Sequence, residues 1–373
     1  EPMDIASSNF SEETTVFGGN RNFNTGIDNI ISQYHPRIIG IASTCLSETI
    51  GEDVQRLINE YKGIHAERED LPVMVYASTP SYMGTHYEGF HEAVYATVKV
   101  LAEGNGIVGK HINLFGNFIS PEDIRHLKEI VSDFGIEAML FPDYSDTLDG
   151  TSWDTYHRIP EGGTPIEMLK KSAQASLSVE LGYQLPRSAS EYLRDTFNVD
   201  CYRSGFPVGI GESDKFFCLL SSLSGTPIPE KYKRQRGRLI DLYIDGHKYV
   251  SGKKAVIYGE EDLVFALTAF ASEIGINPVS YITSGDKSMS FDNMETLIKD
   301  VNPDLMIGNS KGYYLARKIG IPLVRTGFPI HDRIGAQHIR IMGYEGTTLL
   351  FEQIVNTLLD DKQRKSTIGY KYM

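Results

Sequence analysis

The amino-acid sequence predicts an α/β protein with doubly wound parallel sheets, on the strength of three observations. Short apolar runs typical of strands alternate with helix-like segments along almost the whole chain. A length of 373 residues exceeds one ordinary core and favours two or three α/β units. Apolar runs also end in short polar turns that lead into helix-like segments, as in parallel sheets. We expect three domains, covering residues 1–105, 106–250 and 251–373.

The first domain is predicted to contain two strand–helix units after a polar start. Helix-like segments lie at 24–34, 54–61 and 90–101, and apolar strands lie at 37–42 and 72–77. The second strand leads into a polar loop at 78–89 that contains Ser81. The unit is complete by about residue 105.

The second domain is predicted to begin after Gly104-Asn-Gly-Ile-Val-Gly109, which matches a dinucleotide-binding pattern by letters. This stretch follows a helix and precedes a strand, the reverse of the required context, so it indicates a connection between domains. Strands are expected at 111–115 and 137–141, with Ser120 capping the helix between them. Helices are expected at 166–181 and 188–197, with a strand between them, and a further helix at 230–250.

The third domain is predicted to start with a strand at 254–259 and a helix from Asp262. The turn Gly259-Glu-Glu-Asp262 is similar to the opening of a Rossmann fold, but no second and third glycine follow, so a bound dinucleotide is not expected. Further strands are predicted at 278–283, 304–308 and 322–325, and a last helix at 347–359.

Composition excludes several classes of function. A formal net charge of −13 disfavours nucleic acid as a partner. No apolar run approaches the roughly 18 residues of a membrane span, and no signal peptide opens the chain, so no membrane association is expected. Three scattered cysteines are too few for a disulfide framework, which favours a reducing, cytoplasmic location. The abrupt start, without an initiator Met, suggests that an N-terminal segment is missing.

The candidate site centres on Cys45, in the stretch Arg37-Ile-Ile-Gly-Ile-Ala-Ser-Thr-Cys45. Ligands gather where the carboxyl ends of parallel strands meet helix starts, so a thiolate there could bind metal or react. A buried, small apolar side chain is the structural alternative. With one plausible ligand per site, a metal cluster would need ligands from another chain or from residues not present.

Several motifs together resemble the β-type subunits of nitrogenase component 1 and of the complex that assembles its cofactor. They run in order from the first residues to about Leu359: Val16-Phe-Gly-Gly19, Ser43-Thr-Cys45-Leu-Ser-Glu-Thr-Ile-Gly51, Thr79-Pro-Ser81, Phe141-Pro-Asp143, Leu148-Asp-Gly150, Gly162-Gly-Thr164, Ile307-Gly-Asn-Ser310 and Gly327-Phe-Pro329. Each is weak alone, but jointly they are specific. The resemblance implies subunits of three Rossmann-like domains, of the nitrogenase component 1 type.

The resemblance also implies partners and a cofactor. Family members pair an α-type with a β-type subunit, and two pairs form an α2β2 heterotetramer that an iron protein-like reductase serves. An iron–sulfur cluster lies at each α–β boundary, held by thiolates of both chains. Cys45 matches the β-side cysteine, a metal ligand, and Ser81 falls where catalytic β subunits place a serine beside the cluster. A Pro-Ser turn is the structural alternative for Ser81.

One departure from the catalytic pattern carries weight. Catalytic β subunits have a cysteine just after the Glu-Pro that matches Glu1-Pro2, where this chain has Ile5. Together with Tyr232-Lys-Arg-Gln-Arg236, this favours the NifN family of scaffold subunits. There a NifE-like α-type subunit mainly holds the maturing iron–molybdenum cofactor (FeMo-cofactor). A catalytic β subunit of a nitrogenase or nitrogenase-like reductase is the alternative, and a metal-free supporting subunit is a third hypothesis.

Other residues offer weaker signals. No side chain is predicted to be catalytic, so enzyme activity of the isolated chain is left open. His86, His91, His331 and His338 are scattered, and Cys201 and Cys218 are expected to be structural. The cation-rich stretch from Lys231 to Arg238 indicates either an anion or partner site or a solvated helix face.

Overall fold

The structure is a computed structural model that describes residues 5–8, 19–284 and 288–367. In these ranges all strands belong to three parallel sheets, which confirms the predicted α/β class. The resemblance motif at 16–19 falls mostly outside the described residues, as do Glu1 and Pro2.

The first sheet has two strands, β1 and β2, paired in parallel from Ile38 opposite Val73 to Ala42 opposite Ala77. Helices flank them, and their apolar faces form a small core with the sheet. The elements are α1 (Asn20–Tyr34), β1 (Ile38–Ala42), α2 (Cys45–Thr49), α3 (Val54–Ile64), β2 (Val73–Ala77) and α4 (His86–Leu101).

The second sheet has the order β4-β3-β5-β6, so the chain winds in both directions from β3. This two-way winding is the doubly wound arrangement that strand–helix alternation predicts. Its elements are β3 (Ile112–Phe115), α5 (Pro121–Asp133), β4 (Ala138–Phe141), α6 (Ile166–Lys170), β5 (Leu177–Leu181), α7 (Ala189–Phe197), β6 (Cys201–Ser204), α8 (Gly209–Ser224) and α9 (Glu230–Val250).

The third sheet has the order β10-β9-β7-β8 and winds in both directions from β7. A long final helix returns from it to pack along α9 and α8. The elements are β7 (Lys254–Gly259), α10 (Glu261–Glu273), β8 (Asn277–Ile282), α11 (Phe291–Val301), β9 (Leu305–Gly308), α12 (Tyr313–Ile319), β10 (Leu323–Arg325) and α13 (Gly343–Lys365).

Two predicted elements differ from the structure. The helix expected at 166–181 ends at Lys170, and its last third is β5, which pairs with β3 on one side and β6 on the other. Apolar residues in so short a run fit either periodicity, and sheet pairing decides between them. Helix α4 begins at His86 rather than at residue 90, because Thr85 and Glu88 form a capping box.

The second and third sheets share one hydrophobic core. The cluster that contains Ile112 and Leu114 of β3 also contains Ala255 and Ile257 of β7, together with Phe351 of α13. A second cluster joins Val94 and Val98 of α4 to the second sheet. The domain boundaries at 105 and 250 stay a prediction.

Candidate functional site

The candidate site lies at the carboxyl edge of the first sheet. The chain leaves β1 and β2 at the same edge because Ala42 and Ala77 are paired. The backbone N–H of Thr79 donates to Ser43 Oγ at 2.9 Å, and the Thr79 hydroxyl donates to the Ser43 carbonyl at 3.0 Å. These two bonds hold the loop after β2, residues 78–85, against the turn that precedes Cys45.

Cys45 is the first residue of α2, and a reciprocal cap determines where that helix begins. The Ser47 N–H donates to Thr44 Oγ1, and the Thr44 N–H donates to Ser47 Oγ at 2.8 Å. This capping box satisfies two backbone donors that a helix start leaves free. The Ser-Thr-Cys sequence therefore has a local structural reason as well as a chemical one.

Ser81 lies directly beside the Cys45 sulfur. Cys45 Sγ is 2.7 Å from Ser81 Oγ and accepts a hydrogen bond from the Ser81 backbone N–H at 3.1 Å. The hydrogen bond from the Ser81 side chain, and then the one from its N–H, lowers the pKa of the Cys45 thiol below its usual range. Cys45 is half-buried and Ser81 is exposed, so this thiol of lowered pKa is accessible from solvent.

A half-buried carboxylate supports the same edge from the next turn of α2. Glu48 accepts hydrogen bonds from the Ser78 hydroxyl at 2.6 Å and from the Tyr76 hydroxyl at 3.0 Å. Hydrogen bonds from the hydroxyls of Ser43, Ser78 and Tyr76 hold the pKa of Glu48 below its usual range. Glu48 is therefore ionised at neutral pH and ties α2 to the end of β2.

Exposed apolar side chains directly follow both Cys45 and Ser81 in the chain. Leu46, Tyr82 and Met83 are 45%, 58% and 70% exposed. Large apolar residues grouped beside a reactive group mark an interaction surface rather than a solvated one. We call these three residues the apolar rim.

The chain by itself offers few metal ligands at this edge. Within the described ranges, no group of three or more His, Cys, Asp or Glu side chains could hold a metal ion. Cys45 and Ser81 supply one thiolate and one hydroxyl at a half-exposed position. A thiolate suits iron–sulfur clusters, so this donor set fits one corner of a cluster shared with another chain.

The other candidates differ in their surroundings. His91 is buried and contacts Asn117 at 3.3 Å, and burial lowers its pKa to about 4. Cys201 lies 3.5 Å from an Arg194 nitrogen, whereas Cys218 is exposed on α8. Both cysteines belong to the unit of the second sheet, whereas Cys45 belongs to the unit of the first.

The cation-rich stretch on α9 is engaged in ion pairs. Lys231 bonds Glu129 and Asp133 of α5, and Arg236 makes two bonds of 2.8 Å with Asp214. These pairs favour the solvated helix face over an anion site. The stretch at 104–109 is an irregular connection between α4 and β3.

Sequence reasoning missed Glu260 and Asp262 as contributors to this region. Glu260 lies 3.2 Å from His86, and Asp262 accepts a 2.8 Å bond from Tyr87, the first two residues of α4. The acidic turn after β7 was a visible signal, but it was interpreted only as evidence against a bound dinucleotide. A contact between residues 175 positions apart leaves no local trace in a sequence.

These features define a class: a parallel α/β protein with a thiol and a hydroxyl in contact at an open sheet edge. The family model for nitrogenase component 1 type oxidoreductases matches residues 1–359. The chain belongs to that family, and within it to the β-type subunits.

The relatives include both kinds of β-type subunit. The nitrogenase molybdenum-iron protein beta chain of Clostridium pasteurianum is 34% identical, covering 98% of this chain and 85% of that protein. The iron-molybdenum cofactor biosynthesis protein NifN of Bradyrhizobium diazoefficiens is 31% identical, covering 96% and 80%. The solved structure of nitrogenase Cp1 at pH 6.5 superimposes with a TM-score of 0.92 at 33% identity, covering 98% and 85%.

The similarity confirms the predicted nitrogenase component 1 fold. It does not separate scaffold from catalytic subunits, because both names occur at similar identity. Among the helices of the described residues, none combines the length and apolar character that crossing a bilayer requires.

Proposed function

We propose that this chain is the β-type half of a scaffold for nitrogenase cofactor assembly, of the NifN type. It pairs with a NifE-like α-type subunit in an α2β2 heterotetramer and contributes Cys45 to an iron–sulfur cluster at the subunit boundary. The observation that carries the scaffold role is Ile5. Its hydrocarbon side chain is 88% exposed and has no lone pair for iron.

The donor set supports a small shared cluster. Cys45 would hold one iron, and its partner chain would supply most of the other ligands. A bridged double cluster needs several thiolates from the β side. This chain has Ile5 where one of those cysteines would be, so one thiolate is missing. When bound, the cluster would supply one-electron transfer.

This chain's own residues prepare the thiolate and shield it. The Ser81 N–H and hydroxyl stabilise negative charge on Cys45 Sγ, so this thiol gives up its proton readily and would be available as a thiolate ligand for iron. The apolar rim would be covered by the partner subunit, which would exclude water from the boundary. The exposed fractions of Tyr82 and Met83 support this surface as an interface.

Aromatic packing supports the idea that the maturing FeMo-cofactor is held mainly by the partner. The carboxyl ends of parallel strands are where α/β proteins bind ligands. Here rings from α4 and from the loops after β3, β4 and β10 meet there. Centroids lie 5.2 Å apart for Phe90–Phe118, 5.8 Å for Phe118–Phe328 and 6.3 Å for Tyr144–Phe328. We take the close packing of these rings as support for a cofactor held mainly by the partner.

The test is anaerobic co-purification with the α-type partner, followed by iron analysis and electron paramagnetic resonance (EPR). We expect a single 4Fe–4S cluster per αβ pair. We expect no substrate reduction when an iron protein-like reductase is added. Cys45→Ala should lose boundary iron and the EPR signal while size-exclusion chromatography still shows the complex. Cys218→Ala, an exposed cysteine elsewhere, is the matched control and should keep both.

A catalytic β subunit is the second candidate, favoured by the contact between Cys45 and Ser81. A bridged double cluster at the boundary, together with substrate reduction, would establish this alternative and overturn the scaffold role. Full iron content in Cys45→Ala would instead remove Cys45 as a ligand under either function.

A further inference from the structure

The loop that carries Ser81 is anchored at both ends, and the two anchors belong to different parts of the fold. At its start, Thr79 is bonded to Ser43 within the first sheet. At its end the loop runs into the first turn of α4, where Thr85 and Glu88 form a capping box. The position of Ser81 therefore depends on where the first turn of α4 is held.

The third sheet holds that turn through two acidic residues. Glu260 Oε1 lies 3.2 Å from His86 Nε2, and Asp262 Oδ2 accepts the Tyr87 hydroxyl proton at 2.8 Å. Tyr87 and Asp262 are 3% and 4% exposed, so water does not compete for their hydrogen bond. Two consecutive residues of α4 are thus fixed by Glu260, which follows β7, and by Asp262 in the first turn of α10.

Asp262 is itself immobilised by the second sheet. Its Oδ1 accepts the backbone N–H groups of Tyr183 at 2.7 Å and Gln184 at 3.1 Å, after β5. The Asn117 amide donates to its Oδ2 at 3.2 Å. A Cβ on Gly182 would lie 2.4 Å from that oxygen, so the backbone approaches as closely as glycine allows. A carboxylate held from three sides is a rigid anchor.

We propose that Glu260 and Asp262 are positioning residues that set the distance between Cys45 and Ser81 by fixing the first turn of α4. Neither carboxylate contacts the thiol. They act through His86 and Tyr87 on the loop 78–85, and so couple the third sheet to the boundary site. The acidic stretch after β7 lacks the glycines that bind a dinucleotide. On this proposal its function is to position the first turn of α4. The proposal rests on the contact between Cys45 and Ser81 and does not require a cluster.

A disulfide can report this distance. In the full chain carrying Ser81→Cys, the introduced thiol should form a disulfide with Cys45, because the present Sγ–Oγ separation is 2.7 Å. Equilibration with a glutathione redox buffer gives the effective concentration of the two thiols, and peptide mass spectrometry identifies the bond. The experiment uses no iron, so the result is independent of the proposed function.

Tyr87→Phe in this background removes only the hydroxyl that reaches Asp262. The same hydroxyl also accepts from the Asn117 amide at 3.2 Å, so two buried hydrogen bonds are lost. We expect the effective concentration to fall about tenfold or more, because one hydrogen bond to a charged group is worth roughly one to two powers of ten in an equilibrium constant. Glu260→Ala should lower it in the same direction. Circular dichroism and the thermal midpoint verify that each variant is folded.

Tyr232→Phe is the matched control, because its fully buried ring loses a similar 2.7 Å bond, to Asp133, away from α4. It should leave the effective concentration unchanged within about twofold, well below the effect of losing a charged hydrogen bond. Unchanged values in both Tyr87→Phe and Glu260→Ala would overturn the proposal. An equal fall in Tyr232→Phe would also overturn it, since the effect would then be general loosening.

Discussion

At the scale of single residues, the chemistry of a side chain in this protein is determined by hydrogen bonds from distant stretches of the chain. Ser81 acidifies Cys45 from 36 positions away. Asp123 on α5 is a buried carboxyl that accepts the N–H groups of Ile341 at 2.9 Å and Met342 at 3.0 Å. Burial outweighs these bonds and raises the pKa of Asp123 to about 6.

The raised pKa of Asp123 predicts a distinctive pH dependence of stability. Because the folded pKa lies above the ordinary value of 3.8, the folded state binds the proton more tightly than the unfolded state. This carboxyl therefore lowers the free energy of unfolding as the pH rises from about 4 to about 6. Asp123→Asn removes that contribution. Urea unfolding curves measured at pH 7 and at pH 4.5 test this. On going from pH 7 to pH 4.5, the free energy of unfolding of the wild type should rise by roughly 1–3 kcal/mol relative to that of the variant.

The difference between the two proteins isolates this group, since other titrating side chains cancel. Asp195→Asn, at an exposed aspartate on α7, is the control and should show little pH-dependent difference. A wild-type advantage that shrinks towards pH 4.5 would show that Asp123 has a lowered folded pKa.

At the scale of elements, α9 and α13 depend on the close approach of two helices at one glycine. A Cβ on Gly246 of α9 would lie 2.4 Å from Phe351 Cε1 of α13, whose ring is fully buried. Gly237 lies earlier on the same helix and is exposed, and a Cβ there would meet no atom within 4 Å. The same helix thus contains a glycine required by packing and one that is not.

Alanine substitutions at these two glycines should have opposite effects on stability. Gly246→Ala forces the helices apart and should lower the free energy of unfolding by about 1–3 kcal/mol, despite its better helix propensity. Gly237→Ala should raise it by roughly 0.5–1 kcal/mol, because alanine favours the helix and meets nothing. Thermal midpoints measured side by side test this. Equal effects at both sites would contradict the packing explanation.

At the scale of the whole molecule, Asp262 connects all three sheets. It belongs to α10 of the third sheet, bonds Tyr87 beside the first, and accepts backbone N–H groups that follow β5 of the second. Shared apolar clusters also join these parts. The hydrogen bonds of the Asp262 carboxylate fix how α4, the chain after β5 and α10 are oriented relative to one another.

Removing this carboxylate should loosen the molecule globally. Asp262→Ala leaves the buried Tyr87 hydroxyl and the N–H groups of Tyr183 and Gln184 without their acceptor, a loss of about 3–5 kcal/mol. The variant should unfold at a lower urea concentration, and its backbone amides at the start of α4 should exchange hydrogen faster. Asp195→Ala, an exposed control, should change stability by under about 0.5 kcal/mol. Unaltered exchange at α4 in Asp262→Ala would argue against the anchor.

Local sequence patterns were enough to predict the fold class and the family of this protein. Alternating apolar and amphipathic segments established the α/β class, because strand and helix periodicities are properties of neighbouring residues. The helix at 230–250 was predicted to its ends. The joint occurrence of weak motifs led to the family that the relatives confirm. The strand predicted between the helices 166–181 and 188–197 lies earlier, at Leu177–Leu181, because a short apolar run has no decisive period and the pairing with β3 and β6 determines where β5 lies.

The sequence by itself thus determined the class, the family and the choice of Cys45 as the centre of the site. Only the tertiary structure decided that Ser81 contacts the Cys45 sulfur, that the side chains of the apolar rim are exposed, and that Glu260 and Asp262 hold α4. Periodicity and turn chemistry act over a few residues and can be read directly. Contacts between residues 36 or 175 positions apart arise from how the sheets pack, which no local pattern records.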